Sequence, residues 1–120
     1  MDEKILKALG EPTRFLLLQL LSERSYCVSA LAHRSNLSES AVSQHLRILR
    51  EAGLVCSVKR GYYTHHSLNR EALDQVIDEL AQLRDTRCMP CSRPFYGCPE
   101  AEYVRCRAYV PPAEREETQC

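Results

Sequence analysis

Between residues 37 and 55 the chain reads LSESAVSQHLRILREAGLV, and its apolar positions Ala41, Val42, Leu46 and Leu49 recur at helical spacing. A helix here turns those residues inward and leaves Ser40, Ser43, Gln44, Arg47 and Arg50 on the opposite face. Ser38 stands just before the periodic stretch, where a hydroxyl caps a helix, and Gly53 stands where one stops. The outer face is polar and cationic. Serine and glutamine exchange hydrogen bonds with base edges and arginine forks onto guanine or phosphate, so the pattern suits a DNA groove as well as plain solvent.

Upstream, Ile5, Leu6 and Leu9 predict a short first helix stopped by Gly10, and Glu11-Pro12 opens a second. That second helix runs FLLLQLL, apolar nearly all the way round, which predicts the central and most buried helix of the domain. Ser25 to Val28 reads as a linker or a small strand. SALAHRS, residues 29 to 35, then predicts a brief helix with Leu31 inward and Ser29 as its cap, and Asn36-Leu37 makes a turn. Short helix, tight turn and longer helix form a helix-turn-helix layout.

Downstream, Leu54 to Val58 and Tyr62 to Leu68 are β-prone on either side of a Lys59-Arg60-Gly61 turn. A basic-tipped hairpin placed directly after a reading helix acts as a wing, with Lys59 and Arg60 reaching the DNA backbone or minor groove. Asn69 caps a last helix in which Leu73, Val76, Ile77, Leu80 and Leu83 form an apolar stripe. The stripe closes the core or pairs with a second copy, since DNA readers of this size generally work as dimers. The expected fold class is mainly α with a β-hairpin wing: a winged helix-turn-helix of four helices, two strands and a closing helix, followed by an irregular Cys-rich tail.

The formal charge of zero hides an asymmetry. Residues 1 to 70 carry ten Lys/Arg against six Asp/Glu, net +4, and the remainder carries six against ten, net −4. Attraction for phosphate therefore belongs to the first part. No run approaches the roughly 18 apolar residues of a membrane span, and the start MDEKILKALG has no signal-peptide pattern. A cytoplasmic protein without a membrane partner is expected.

Seven cysteines in 120 residues are many for a reducing compartment, where metal binding or thiol sensing is a better use for them than stable disulfides. Four lie in CMPCSRPFYGCPEAEYVRC, as Cys88, Cys91, Cys98 and Cys106, where prolines 90, 94, 99, 111 and 112 oppose helix and strand. The expected division is a domain over residues 1–86 and a sensing tail over 87–120. Four thiolates would accept zinc, cadmium, lead, Cu⁺, three-coordinate arsenite or an iron–sulfur cluster, as a sensory site or as a structural zinc that orders the tail. In a redox version two thiols, Cys88 with Cys27 or Cys91, bridge on oxidation.

Enzyme chemistry is disfavoured by context. A thioredoxin-type Cys-x-x-Cys opens a helix after a strand, whereas Cys88 and Cys91 follow a helix end, and no P-loop, HExxH or Ser/His/Asp pattern accompanies them. Cys56 alternates within the wing and is expected to pack, while Cys120 is expected to be free. His65 and His66 are neighbours on a strand, point to opposite faces and are expected to be structural. His33 is assigned to the surface. His45 faces either DNA or the preceding helix.

Three blocks, LKALGEPTRFLLLQLL, SALAHRSNLSESAVSQHLRILREAGLV and VKRGYYTHHSL, stand in an order and spacing that resembles the ArsR/SmtB winged-helix repressors. The resemblance covers residues 4 to about 84. It implies a homodimer joined through the first and last helices, operator DNA as partner, the helix at 39 to 52 in the major groove, and release by metal ions or thiol-reactive species. The family's sensing sites carry over only in part. Where arsenic-type members have Cys-Val-Cys this chain has Cys27-Val28-Ser29, and the positions of the zinc and cobalt ligands on the last helix carry Arg70, Ala72, Leu83 and Thr86.

Overall fold

A computed structural model of the protein describes residues 1–87. Helix α1 (Glu3–Leu9) begins at Asp2, whose carboxylate accepts from the Lys4 amide at 3.1 Å. Its end is closed from outside: the Arg14 guanidinium donates from Nε to the Ala8 carbonyl at 2.9 Å and from Nη2 to that of Lys7 at 2.8 Å. Helix α2 (Pro12–Glu23) is capped by Glu11, which accepts from the Arg14 amide at 2.9 Å, with Pro12 where its missing N–H costs nothing. Leu17, Leu18 and Leu21 are buried, but Phe15 and Leu16 stay 52% and 40% exposed. The second helix is thus buried on one side rather than all round, a correction to what its composition suggests.

Strand β1 (Tyr26–Cys27) pairs with a strand further along the chain, which settles the choice between linker and strand. Because pairing holds these two residues extended, helix α3 (Val28–Ser35) starts directly after them. Its N-cap is Cys27, with no side-chain cap hydrogen bond, so Ser29 lies inside the helix instead of capping it. Asn36 ends α3 in the left-handed region at φ 59°, and the Leu37 amide reaches back to the Ala32 carbonyl at 3.1 Å. These bonds make the tight turn between the two motif helices.

Helix α4 (Glu39–Glu51) starts at Ser38, whose Oγ accepts from the Ala41 amide at 3.1 Å. It ends in a Schellman motif: Gly53, at φ 79°, donates to the Arg50 carbonyl at 2.9 Å, and Leu54 donates to that of Leu49 at 3.0 Å. Strands β2 (Val55–Arg60) and β3 (Tyr63–Leu68) pair antiparallel from Val55 opposite Leu68 to Arg60 opposite Tyr63. The turn is Gly61-Tyr62, so Lys59 and Arg60 are the last residues of β2 and not part of the turn. A two-residue hairpin loop with its first residue at positive φ calls for glycine there, and Gly61 sits at φ 65°.

The sheet order is β1-β3-β2, one strand more than the hairpin alone. Helix α5 (Arg70–Asp85) follows Asn69 and turns Val76 inward, with Ala72 and Leu73 packed against the core. That core joins Ala8, Leu17, Leu21, Leu31, Val42, Leu46, Leu49, Leu54 and Val55, drawn from four helices and the root of the wing. Each fully buried leucine is worth roughly 1.5–3 kcal/mol relative to exposure. Residues Met1–Ala81 make up one compact unit. No helix among the described residues is long and apolar enough to cross a membrane.

Candidate nucleic-acid interface

The core fixes which side of α4 is available. Val42, Leu46 and Leu49 are buried, so Ser40, Ser43, Gln44, Arg47 and Arg50 are carried outward and all five are exposed. Ser38 is exposed as well, although its Oγ is engaged by the Ala41 amide and lies 3.5 Å from that of Ser40. Arg47 donates from Nε to Glu51 at 3.1 Å, one turn further on. An exposed i,i+4 pair of this kind is worth about 0.3–0.5 kcal/mol, so a phosphate or guanine edge can readily take the guanidinium.

Arg50 lies on the flank of α4 toward the sheet, where its charge acts on His66. His66 is buried, its Nδ1 lies 2.8 Å from Ser57 Oγ, and it stands opposite Tyr26 in β1. Burial first, then the positive charge of Arg50 and then His65, hold its imidazole below its ordinary pKa. The ring is therefore a neutral structural element beneath the wing. His65, on the other face of β3, is half-buried, and His33 is exposed.

His45 is not displayed with the polar face. Its Nδ1 is buried, has no hydrogen-bond partner among the described residues, and lies 4.0 Å from the Glu11 carboxylate that caps α2. Residue 45 falls between the buried positions 42, 46 and 49 and the polar stripe, so Nδ1 is turned toward the start of α2 and not toward the preceding helix α3. The rest of the ring is half-buried at the border of the polar face.

Lys59 and Arg60 are exposed at the far end of β2, as expected of a basic wing. Tyr62, at the turn, is fully exposed at 101%, and Tyr63 beside it is exposed too. Sequence reasoning passes over Tyr62. The available signal is Gly61, whose need for positive φ fixes the turn one residue later than the basic pair suggests.

Two free thiols lie among the described residues. Cys27 is half-buried at the start of α3, and Cys56 is exposed on β2. The expectation that Cys56 packs is thus corrected: Val55 and Ser57 face inward, so the alternating strand sends Cys56 outward. Cys27 and Cys56 sit on the two outer strands with β3 between them, about 9–10 Å apart at the least, beyond reach of a disulfide. Cys88, Cys91, Cys98 and Cys106 lie outside the described residues. Among the described residues no three His, Cys, Asp or Glu side chains gather to hold an ion.

The described domain is similar in sequence and fold to known proteins. The sequence profile described as bacterial regulatory protein, arsR family, matches residues 11–57. A helix-turn-helix-type transcriptional regulator of Methanocaldococcus jannaschii is 32% identical over 81 residues, 67% of this chain and 91% of its own. The transcriptional repressor SdpR of Bacillus subtilis is 31% identical over 74 residues, 62% of this chain and 82% of its own. A crystal structure described as a possible transcriptional regulator for arsenical resistance superposes with TM-score 0.63 at 36% identity, covering 72% of this chain and 88% of that one. These relatives are regulators of transcription and not enzymes, and with them this chain belongs to the arsR family of winged helix-turn-helix regulators.

Proposed function

We propose that the protein is a homodimeric repressor that binds operator DNA and lets go when its tail thiols take up a metal or metalloid ion. Ser38, Ser40, Ser43, Gln44, Arg47 and Arg50 would face the major groove, while Lys59 and Arg60 contact the backbone on either side of the adjoining minor groove. The observation that carries the reading is the polar face of α4, held outward by Val42, Leu46 and Leu49. Ile48, 40% exposed, borders that face one turn from Gln44 and leaves its middle polar.

Two copies related by a two-fold axis would present their helices to half-sites one helical turn apart, about 34–36 Å. Soft thiolates at Cys88, Cys91, Cys98 and Cys106 suit zinc, cadmium, lead or arsenite. Release then follows from linkage: a ligand that favours a dimer whose helices no longer match the grooves is itself bound less tightly in the presence of DNA.

The test starts from a duplex selected by the full chain from a random pool, followed by fluorescence anisotropy. Zinc, cadmium, lead, arsenite and a thiol oxidant are each titrated into the protein–DNA complex. Release by one of the ions, lost when Cys88 and Cys91 are both replaced by serine, supports the sensor. Indifference to every ion, with the double variant behaving as the native chain, removes it. Release by the oxidant alone makes the thiols a redox device.

A further inference from the structure

One side chain at the tip of the wing is used neither by the core nor by the charge argument. Tyr62 is fully exposed at the apex of the hairpin, at the end of six registered strand pairs that hold the tip in a defined place. Gly61 at φ 65° makes the turn, so Tyr62 is presented by a rigid two-residue loop and not by a long mobile one. From Val58 to Thr64 every residue is exposed, and the tip stands clear of the domain.

The two cations before the turn are arranged around it. Lys59 and Arg60 are successive strand residues, so they point to opposite faces of the ribbon, one on each side of the tip. A minor groove presents a similar layout, with a phosphate wall on either side of a floor about 6 Å wide. An aromatic ring is thin enough to enter edge-on and apolar enough to lie against the deoxyriboses. Its hydroxyl would meet the acceptors N3 of adenine or O2 of thymine, whereas a G·C pair fills the same floor with the guanine 2-amino group.

We propose that Tyr62 enters the minor groove beside the half-site and distinguishes A·T from G·C there, while Lys59 and Arg60 anchor the tip to the flanking phosphates. The inference rests on the DNA-binding reading above and adds to it a specificity-determining residue which the basic residues cannot replace. Phosphate contacts position a protein without reporting sequence. Because the hairpin fixes the backbone that carries the ring, the ordering entropy that opposes the contact is that of one side chain and not of a loop.

The experiment uses the full chain and the duplex it selects from a random pool, with the base pairs under the wing, located by footprinting, made A·T, G·C or inosine·C. Inosine lacks the 2-amino group and presents an A·T-like floor. The native chain is expected to prefer A·T over G·C by about two- to tenfold, the worth of one net hydrogen bond, with inosine·C binding as A·T does. Tyr62→Ala is expected to abolish that preference, and Tyr62→Phe to lose the part due to the hydroxyl.

Arg60→Ala serves as the contrasting variant: it should lower the slope of log affinity against log salt by about 0.9 for each phosphate it no longer neutralises, a slope that Tyr62→Ala leaves alone. Equal binding of all three duplexes by the native chain, or an A·T preference that survives Tyr62→Ala, overturns the proposal and leaves the DNA-binding reading standing. A chain that enriches no duplex from the pool overturns both. Tyr62 has no buried contact, so failure to fold does not confound the variants.

Discussion

The side-chain amide of Asn69 donates to the Gly53 carbonyl at 2.8 Å, fastening the residue before α5 to the turn that ends α4. The same residue gives its backbone N–H to the Leu54 carbonyl at 2.9 Å, and its Oδ1 accepts from the Ala72 amide at 3.4 Å. One residue therefore joins three elements: its side chain links the end of the proposed reading helix to the start of the last helix, and its backbone N–H reaches the root of the wing. Asn69→Ala removes both the cap and the clamp, and should cost about 1–2 kcal/mol in urea denaturation. Asn69→Asp retains a cap acceptor but turns a carboxylate toward the Gly53 carbonyl, so it should recover only part of the loss. An alanine variant as stable as the native chain would mean that the clamp has no energetic weight.

The two faces of α4 should separate stability from binding. Leu46 is buried among Val42, Leu49 and the α2 leucines, and Leu46→Ala should destabilise by about 2–5 kcal/mol. Gln44 is exposed, and Gln44→Ala should leave the denaturation midpoint within about 0.5 kcal/mol of native. If Gln44 reads a base, affinity for the selected duplex should nevertheless fall by about 1–3 kcal/mol. A large stability loss at Gln44, or unchanged affinity, would take it off the reading surface.

The contrast between these residues also shows what is legible in the chain itself. The period of Val42, Leu46 and Leu49, the Ser38 cap and the Gly53 stop are local signals, and the structure has each where the spacing predicts it. Strand β1 carries no such signal, because two residues have no period, and only pairing with His65 and His66, about forty positions away, makes them a strand. Phe15 and Leu16 depart from expectation for a related reason: leucine-rich composition reports how apolar a helix is, not which side its neighbours cover. His45 is ambiguous in sequence because a residue at the border of a helical stripe turns either way, and the Glu11 carboxylate that it faces belongs to another helix. The tail cysteines suggest metal or thiol chemistry by type and spacing, and they lie outside the described residues.

His66 makes stability depend on pH in a definite direction. Burial, with Arg50 and His65 adding to it, lowers the folded-state pKa below the ordinary 6.5. As pH falls through that ordinary value the unfolded chain takes up the proton first, so stability drops, and it levels off once the folded imidazole is protonated as well. Urea midpoints should therefore fall between about pH 7.5 and about pH 5.5, and His66→Asn should reduce that dependence. An unchanged pH profile in the variant would show that some other group is responsible.

The outer side of α5 bears on assembly. Ile77 and Leu80 are 59% and 53% exposed while Val76 faces the core, so the helix carries more apolar surface than its own chain covers. Leu6 of α1 is likewise 56% exposed, and the Met1 amino group, 2.6 Å from Glu79, ties the start of the chain to α5. If this surface forms the proposed homodimer, a two-fold axis makes every substitution count twice. Leu80→Glu would remove about 1.5–3 kcal/mol of burial per copy and weaken association by roughly two to four orders of magnitude. Sedimentation across a concentration series should then show monomer where the native chain is dimeric, with affinity for a two-half-site duplex falling and that for a single half-site unchanged. A Leu80→Glu chain that remains dimeric would move the interface elsewhere on the molecule.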